Sequence, residues 1–135
     1  MVELVEKGLA EAGVKLASAK VAVLGLAFLR DSDNTRNSPA LIIIDLLYGR
    51  VKDLVVHDTM VEKSYKATLI RDIDSALAGA DCAVIVTDHS VYKSLDWGRA
   101  RRLMRTPLLV DGRNVLDSTE ARLFGFKYIG IGKGK

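Results

Sequence analysis

Short segments made almost entirely of apolar residues recur along this chain, and segments whose apolar residues have helical spacing lie between them. An unbroken apolar segment such as residues 82–86, CAVIV, is typical of a strand buried on both faces of a parallel sheet. The alternation predicts right-handed strand–helix–strand units. We therefore expect the α/β class, with a Rossmann-like three-layer α/β/α sandwich around a mostly parallel sheet. The predicted strands cover residues 20–26, 54–58, 82–86, 108–110 and 128–129, and residues 68–70 are predicted to form either a short strand or an extended link.

The helices are predicted from apolar spacing and from the residues that begin them. Ser38 and Pro39 suit the cap and first turn of a helix. Asp72 suits the N-cap of a short helix, and Asp117 with Glu120 has the pattern of a capping box. The predicted helices cover residues 3–13, 39–48, 75–78, 96–105 and 117–125.

Length and composition indicate one globular domain. The chain has 135 residues, of which 49% are hydrophobic and 27% charged, so it has enough apolar surface for a core and no disorder signature. No apolar run approaches the roughly 20 residues that span a bilayer, and the N-terminus lacks a secretion signal. We therefore expect a cytoplasmic protein. The single cysteine, Cys82, lies in an apolar segment and is predicted to be a buried, unreactive core residue.

The charge is mildly basic, with a net value of +3 at pH 7. This balance suits an anionic ligand without requiring nucleic acid. A predicted helix carries Arg99, Arg101, Arg102 and Arg105, and a solvated helix face is favoured there over a nucleic-acid stripe. An aromatic content of 6% also argues against a base-stacking surface.

The polar stretch at residues 25–39 is the first candidate site, because it follows a predicted strand and precedes a helix. Ligands of open α/β sheets bind at such strand ends, and a helix N-terminus favours an anion. The stretch is rich in hydroxyl, amide and guanidinium groups, so it predicts a phosphate-bearing ligand. Gly25 stands alone, however, and a dinucleotide-binding turn needs three glycines. The sequence therefore argues against an NAD site in this domain.

Polar residues also follow the other predicted strands. Asp58 suits either a ribose-binding acid or a turn cap, and neither interpretation is favoured. The segment DGRN at 111–114 predicts a turn that presents Arg113 to a phosphate or to uracil-like carbonyls. Asp88 and His89 lack an accompanying nucleophile or metal-ligand cluster, so a loop-fixing role is favoured over acid–base catalysis.

Seven short motifs follow one another along the chain from residue 21 onwards. They are VAVLGLAF at 21–28 with Asp33, Thr35, Arg36, Ser38 and Pro39 after it, VHD at 56–58, GAD at 79–81, TDH at 87–89, LDW at 95–97, DGRN at 111–114 and GFKY at 125–128. This series resembles the C-terminal domain of the UDP-glucose/GDP-mannose dehydrogenase family. Residues 1–19 resemble the end of that family's connecting helix. We therefore expect a connecting helix over 1–19 and a nucleotide-sugar (UDP) binding domain over 20–135.

The resemblance implies the reaction of the whole enzyme and a binding role for this chain. Members of the family oxidise the C6 alcohol of a nucleotide sugar to a carboxylate in two NAD-dependent steps. Their catalytic cysteine and lysine precede this domain, and Cys82 does not match that cysteine. The chain is therefore expected to bind without catalysing, with no cofactor of its own and NAD in the full-length enzyme. The histidine after Thr87-Asp88 resembles members that act on N-acetylated hexosamines such as UDP-N-acetylmannosamine.

The expected partners are a UDP-sugar or another nucleotide sugar, the NAD-binding domain of the same enzyme, and further copies of the chain in a homo-oligomer. No nucleic acid and no membrane are expected. By resemblance, the UDP moiety contacts Phe28, Leu29, Arg30 and Arg113, and the loops are braced by Asp33, Arg36, Asp88 and His89.

Leu29 departs from the family pattern, which has a nucleotide-contacting lysine at that place. Either Arg30 takes over the contact or the domain has lost part of its nucleotide affinity. The competing hypothesis is a stand-alone assembly or regulatory module that keeps the fold and has lost ligand binding.

Overall fold

The computed structural model describes residues 1–27, 35 and 38–130, and in this part of the chain six strands form one sheet. The strand order is β3-β2-β1-β4-β5-β6, and each of the five neighbouring pairs is parallel. This architecture confirms the predicted α/β fold. The strands are β1 (Lys20–Leu24), β2 (Asp53–His57), β3 (Thr68–Ile70), β4 (Cys82–Ile85), β5 (Leu108–Asp111) and β6 (Lys127–Gly130).

Six α-helices connect or flank these strands in the described ranges. Five of them lie within the predicted helical segments or overlap them. The sixth, over Ser90–Lys93, was not predicted, because four residues are too few to show a periodicity. The helices are α1 (Val2–Glu11), α2 (Pro39–Leu47), α3 (Ile73–Leu77), α4 (Ser90–Lys93), α5 (Trp97–Leu103) and α6 (Ser118–Leu123), with a 3₁₀ turn at Leu16–Ser18.

Strand alternation divides the core between the two faces of the sheet. Val21 and Val23 of β1 join the core cluster that α1 and α2 cover. Ala22 and Leu24 point the other way and join the cluster covered by α3, α5 and α6. Full burial of such an aliphatic side chain contributes about 1.5–3 kcal/mol, so the two clusters supply most of the driving force for folding.

The predicted helix caps are present. The Ser38 side chain accepts a hydrogen bond from the Ala40 amide at the start of α2. Asp72 accepts from the Ser75 amide at α3 in the same way. Asp117 accepts from two amides in the first turn of α6. Each cap stabilises its helix by about 1 kcal/mol.

The arginines of α5 serve contacts within the fold. Arg99 forms an ion pair with Asp74 of α3, and Arg101 donates to the carbonyl of Gly125 just after α6. Arg105 donates to Asp81, which precedes β4. These contacts support a helix face that ties neighbouring elements together.

Cys82 lies at the start of β4 with none of its surface exposed. Burial raises the pKa of its thiol, and the charge of Asp81 adds to this effect. Within the described ranges, no helix has the length and apolar character needed to cross a membrane.

Candidate functional site

The carboxyl edge of the sheet, where all six strands end, contains most of the buried polar groups that the structure describes. Between β1 and β4 the strand order reverses direction, because β2 pairs with one side of β1 and β4 with the other. In open α/β sheets, ligands commonly bind at such a reversal. Buried polar groups at this edge are Ser38, His57, Asp58, Thr87, Asp88, His89 and Asp111; the remaining one, Asp81, lies at the amino edge.

Asp58 follows β2 directly and has no exposed surface. Its Oδ1 accepts hydrogen bonds from the amides of Met60 (2.7 Å) and Val61 (3.1 Å), which closes the turn after the strand. The other oxygen, Oδ2, also accepts several hydrogen bonds. A fully buried carboxylate with this many donors supports the turn-cap interpretation over contact with a ribose.

The second oxygen of Asp58 reaches two other loops. Oδ2 accepts from the amides of Leu26 (2.8 Å) and Ala27 (3.2 Å), which follow β1. It also accepts from Nε2 of His89 (2.9 Å), which follows β4. Burial by itself raises the pKa of Asp58, but the His89 hydrogen bond and the amide donors outweigh it and hold the pKa well below its usual range. Asp58 is therefore an ionised carboxylate that joins three loops.

His57, at the end of β2, is buried beside this carboxylate. Its Nε2 lies 3.1 Å from the carbonyl oxygen of Arg71, which only accepts, so Nε2 carries the proton. The Tyr92 hydroxyl lies 2.8 Å from Nδ1 and 3.0 Å from the carbonyl oxygen of His57, so in the neutral ring its one proton is shared between these two acceptors. Burial lowers the pKa of His57 and favours that neutral form. The Tyr92 ring of α4 also contacts the ring of His89, with centroids 5.8 Å apart.

Gly25 brings the loop after β1 against the loop after β4. Its φ is +102°, and a Cβ added there would lie 2.5 Å from the Cβ of Thr87. The Thr87 hydroxyl donates to the carbonyl of Ala27 at 2.5 Å, so the two loops are also hydrogen-bonded. Only glycine permits both this backbone conformation and this close approach.

The turn after β5 carries Arg113 and is held by Asp111, the last residue of the strand. The two carboxylate oxygens of Asp111 accept from the amides of Arg113 (3.0 Å) and Leu116 (2.9 Å). The Tyr128 hydroxyl of β6 donates to the same carboxylate at 2.9 Å. The backbone around Arg113 is thus fixed while its side chain remains 37% exposed.

Asp88 and Arg113 meet across the ends of β4 and β5. The Arg113 Nη2 lies 3.6 Å from Oδ1 of Asp88, and the Asp88 side chain is 11% exposed. This separation is that of an ion pair rather than of a hydrogen bond. A guanidinium held by its own backbone turn and by a neighbouring carboxylate is suited to bind a planar or tetrahedral anion.

The structure places the predicted site residues unequally. Arg113, Asp88 and His89 come together at the carboxyl edge through the contacts given above. Phe28, Leu29, Arg30, Asp33 and Arg36 lie outside the described residues. Ala27, which precedes Phe28 directly, is held by Asp58 and Thr87.

Sequence reasoning missed the contacts that connect the loops. Thr87 and Asp58 each follow an apolar strand directly, and that position was the available signal. Tyr92 carried no signal, because nothing near it in the chain shows that its hydroxyl meets a histidine 35 residues away. The part of the chain that the structure describes contains no group of three or more side chains suited to hold a metal ion.

Comparison with known proteins agrees with this geometry. Residues 22–118 match the model of the UDP binding domain of the UDP-glucose/GDP-mannose dehydrogenase family. The chain belongs to this family. It is 35% identical over 131 residues to a UDP-N-acetyl-D-mannosamine dehydrogenase of Pyrococcus horikoshii. These residues are 97% of this chain and 29% of that protein. It is 34% identical over 132 residues to a UDP-glucose 6-dehydrogenase of Rhizobium meliloti, covering 94% and 30% of the two chains.

Solved structures of the family have the same fold. The UDP-D-ManNAc dehydrogenase from Pyrococcus horikoshii superposes with a TM-score of 0.87 over 98% of this chain and 30% of that one, at 34% identity. An NDP-N-acetyl-D-galactosaminuronic acid dehydrogenase from Methanosarcina mazei gives 0.89 over 97% and 28%, at 33% identity. The chain thus spans about three tenths of the relatives that it matches. Relatives named for different sugars are almost equally similar to it, so overall identity does not select a sugar.

Proposed function

We propose that this chain is the nucleotide-sugar binding domain of an NAD-dependent nucleotide-sugar 6-dehydrogenase and holds the UDP moiety at the carboxyl edge. The observation that carries the proposal is Arg113. It is fixed by Asp111, paired with Asp88, partly exposed, and located within the segment that matches the family's UDP binding domain. A charge-assisted arginine contact of this kind contributes about 1.5–3 kcal/mol to binding.

Phe28, Leu29 and Arg30 complete the proposed site, because they continue directly from the anchored Ala27 towards α2. Asp33 and Arg36 brace that loop in the proposal, and Asp88 and His89 brace the opposite one. The sugar moiety is proposed to be an N-acetylated hexosamine, as in UDP-N-acetylmannosamine. The full enzyme oxidises its C6 alcohol.

The geometry of this chain does not suit NAD, which we assign to another domain of the enzyme. In a dinucleotide turn, small glycines let the pyrophosphate approach the backbone. Here the space beside Gly25 is filled by Thr87, at 2.5 Å from where a Cβ would lie. The acid that would hold a ribose, Asp58, is fully buried and occupied by donors. We derive no NAD-dependent step from these residues.

The NAD-binding domain is the proposed partner, and α1 the end of the helix that connects to it. Met1 lies against Gly112, so α1 begins at the carboxyl edge beside Arg113. A domain preceding α1 would then face the proposed site. A homo-oligomer in the cytoplasm completes the proposal.

Calorimetric titration of the domain with UDP, GDP and NAD tests the proposal. We expect UDP to bind, and Arg113→Ala to weaken UDP binding by about tenfold or more. Arg105→Ala is the matched control, because Arg105 also pairs with an aspartate but lies near the opposite edge of the sheet. Equal UDP affinity in Arg113→Ala and the wild type would remove the site assignment.

The first loop has its own test. If Arg30 replaces the usual lysine, Arg30→Ala weakens UDP binding and Leu29→Lys adds little. If the contact has been lost, Leu29→Lys strengthens UDP binding by on the order of 1 kcal/mol, and Arg30→Ala leaves UDP affinity unchanged. UDP affinity unchanged in both variants would instead favour the assembly module.

A further inference from the structure

We infer that Asp58 and His89 act as one positioning unit, which sets the separation between the two halves of the nucleotide site. This inference rests on the proposed UDP site. The first half is the backbone of Leu26 and Ala27, which follow β1, and the second is the Asp88–Arg113 pair. Neither Asp58 nor His89 is exposed enough to contact a ligand, since they are 0% and 1% exposed.

A continuous series of contacts joins the halves. Arg113 pairs with Asp88 at 3.6 Å, and Asp88 is the chain neighbour of His89. His89 donates from Nε2 to Oδ2 of Asp58 at 2.9 Å. The same oxygen accepts the Ala27 amide at 3.2 Å. A single carboxylate oxygen therefore contacts both loops at the strand-order reversal.

The chemistry of this contact makes it directional. An ionised carboxylate oxygen accepts only, and each of its partners presents an N–H, so the loops are held at distances fixed by hydrogen-bond geometry. Removing the His89 donor leaves Asp58 bonded to four backbone amides. The loop after β1 keeps its anchor, but the Asp88–Arg113 half loses its side-chain contact with Asp58 and keeps the Thr87 hydrogen bond to Ala27.

The amino edge provides the matched control. Asp81 is also buried, and it accepts from the Lys20 amide, the Arg105 guanidinium and the Thr106 hydroxyl. It binds neighbouring elements together as Asp58 does, but it lies at the other end of the strands. A variant of Asp81 therefore reports the effect of losing a buried carboxylate without disturbing the site.

The experiment compares three variants of His89 in the isolated domain, with UDP titration and thermal unfolding measured on each. In His89→Gln the side-chain amide reaches the place of Nε2 and keeps the donor. His89→Met has a similar volume without a donor, and in His89→Asn the amide falls short of Asp58. We expect UDP affinity to fall about tenfold in His89→Met and His89→Asn and to stay within about threefold of wild type in His89→Gln. Asp81→Asn should lower the melting temperature and leave UDP affinity unchanged.

The outcomes separate the two proposals. If the wild type binds UDP and the donor-less variants bind it equally well while folded, Asp58 and His89 have only a structural role and the inference is wrong. It is also wrong if Asp81→Asn weakens UDP binding as much as His89→Met, or if His89→Gln fails to retain affinity. A wild-type domain that does not bind UDP overturns the proposed function itself. Should His89→Met fail to fold, His89→Asn against His89→Gln carries the comparison.

Discussion

Each edge of the sheet contains a buried aspartate that accepts hydrogen bonds from the backbone, but the two aspartates join different parts of the fold. At the amino edge Asp81 joins β1 to the end of α5, and one of its partners, Arg105, has a side chain that is 63% exposed. At the carboxyl edge Asp58 is surrounded by backbone amides and a buried histidine. Asp81 ties strand and helix ends together, whereas Asp58 connects three loops at the carboxyl edge.

This difference between Asp81 and Asp58 reflects where the buried polar groups of the described residues lie, which is mostly at the carboxyl edge. At the carboxyl edge Arg113 and Asp88 lie on loops, whose buried backbone amides need acceptors. The buried carboxylates Asp58 and Asp111 supply these acceptors. Polar burial at the carboxyl edge therefore follows from the loops that meet there.

The largest expected effect is on stability and sharpens this comparison directly. Asp58→Ala leaves four amides and His89 without their acceptor, and we expect it to lower the free energy of unfolding by about 3–5 kcal/mol. Asp81→Ala should cost less, about 1–3 kcal/mol, because its arginine partner is solvated. Urea denaturation of both variants measures the difference. Equal losses would show that the two edges depend on their aspartates alike.

Two glycines with positive φ give the next largest contrast. Gly25→Ala would place a Cβ 2.5 Å from Thr87 at a φ of +102°, whereas Gly79 has a φ of +70° and nothing within 4 Å. We expect a loss of about 2–4 kcal/mol at Gly25, from overpacking and backbone strain together. Gly79→Ala should lose about 1 kcal/mol, from the backbone alone. Thermal unfolding that ranks the two variants in the opposite order would contradict the close contact between the loops.

The strands and caps could be predicted from the sequence because both are local. Apolar segments marked five of the six strands, while the partly exposed β3 was left open between a strand and an extended link. Ser38, Asp72 and Asp117 marked the helix starts at which they are found. The turn that carries Arg113 was likewise predicted from Asp-Gly, and Asp111 holds it through amides only two and five residues away.

The connections across the site could not be predicted in this way. His89 meets Asp58 across 31 residues and Thr87 meets Ala27 across 60, and no local periodicity encodes either pair. Both contacts depend on which strands are neighbours, and the strand order arises from packing of the whole chain. A sequence motif can therefore indicate a residue at a strand end without showing which loop it holds.

A smaller effect is the dependence of stability on pH, whose upper step arises from His57 at the carboxyl edge. Burial lowers the pKa of His57 from 6.5, so protonation favours the unfolded chain, and this contribution to stability is present above pH 6.5 and lost as the pH falls below it. The lowered pKa values of Asp58 and Asp81 act in a separate window, in which stability is lost as the pH falls below 3.8. Urea titrations across pH should therefore show two descending steps.

His57→Gln is the matched variant for the upper step. Its amide still donates towards the Arg71 carbonyl but does not titrate, so we expect the loss of stability below pH 6.5 to become smaller while the acid step stays. An unchanged upper step would mean that the buried ring at the carboxyl edge does not control it.

The smallest expected effect is at Cys82, which begins β4 at the amino edge next to Asp81. The thiol has no exposed surface, and its raised pKa leaves almost no thiolate at neutral pH. A thiol reagent should therefore label it only in denaturant, while the native protein remains unlabelled. Asp81→Asn sharpens the test, because weakening the amino edge should let labelling begin at lower urea concentration than in the wild type. If native Cys82 reacts at the rate of an exposed thiol, the amino edge is open in solution, and the contrast between a closing edge and a binding edge fails.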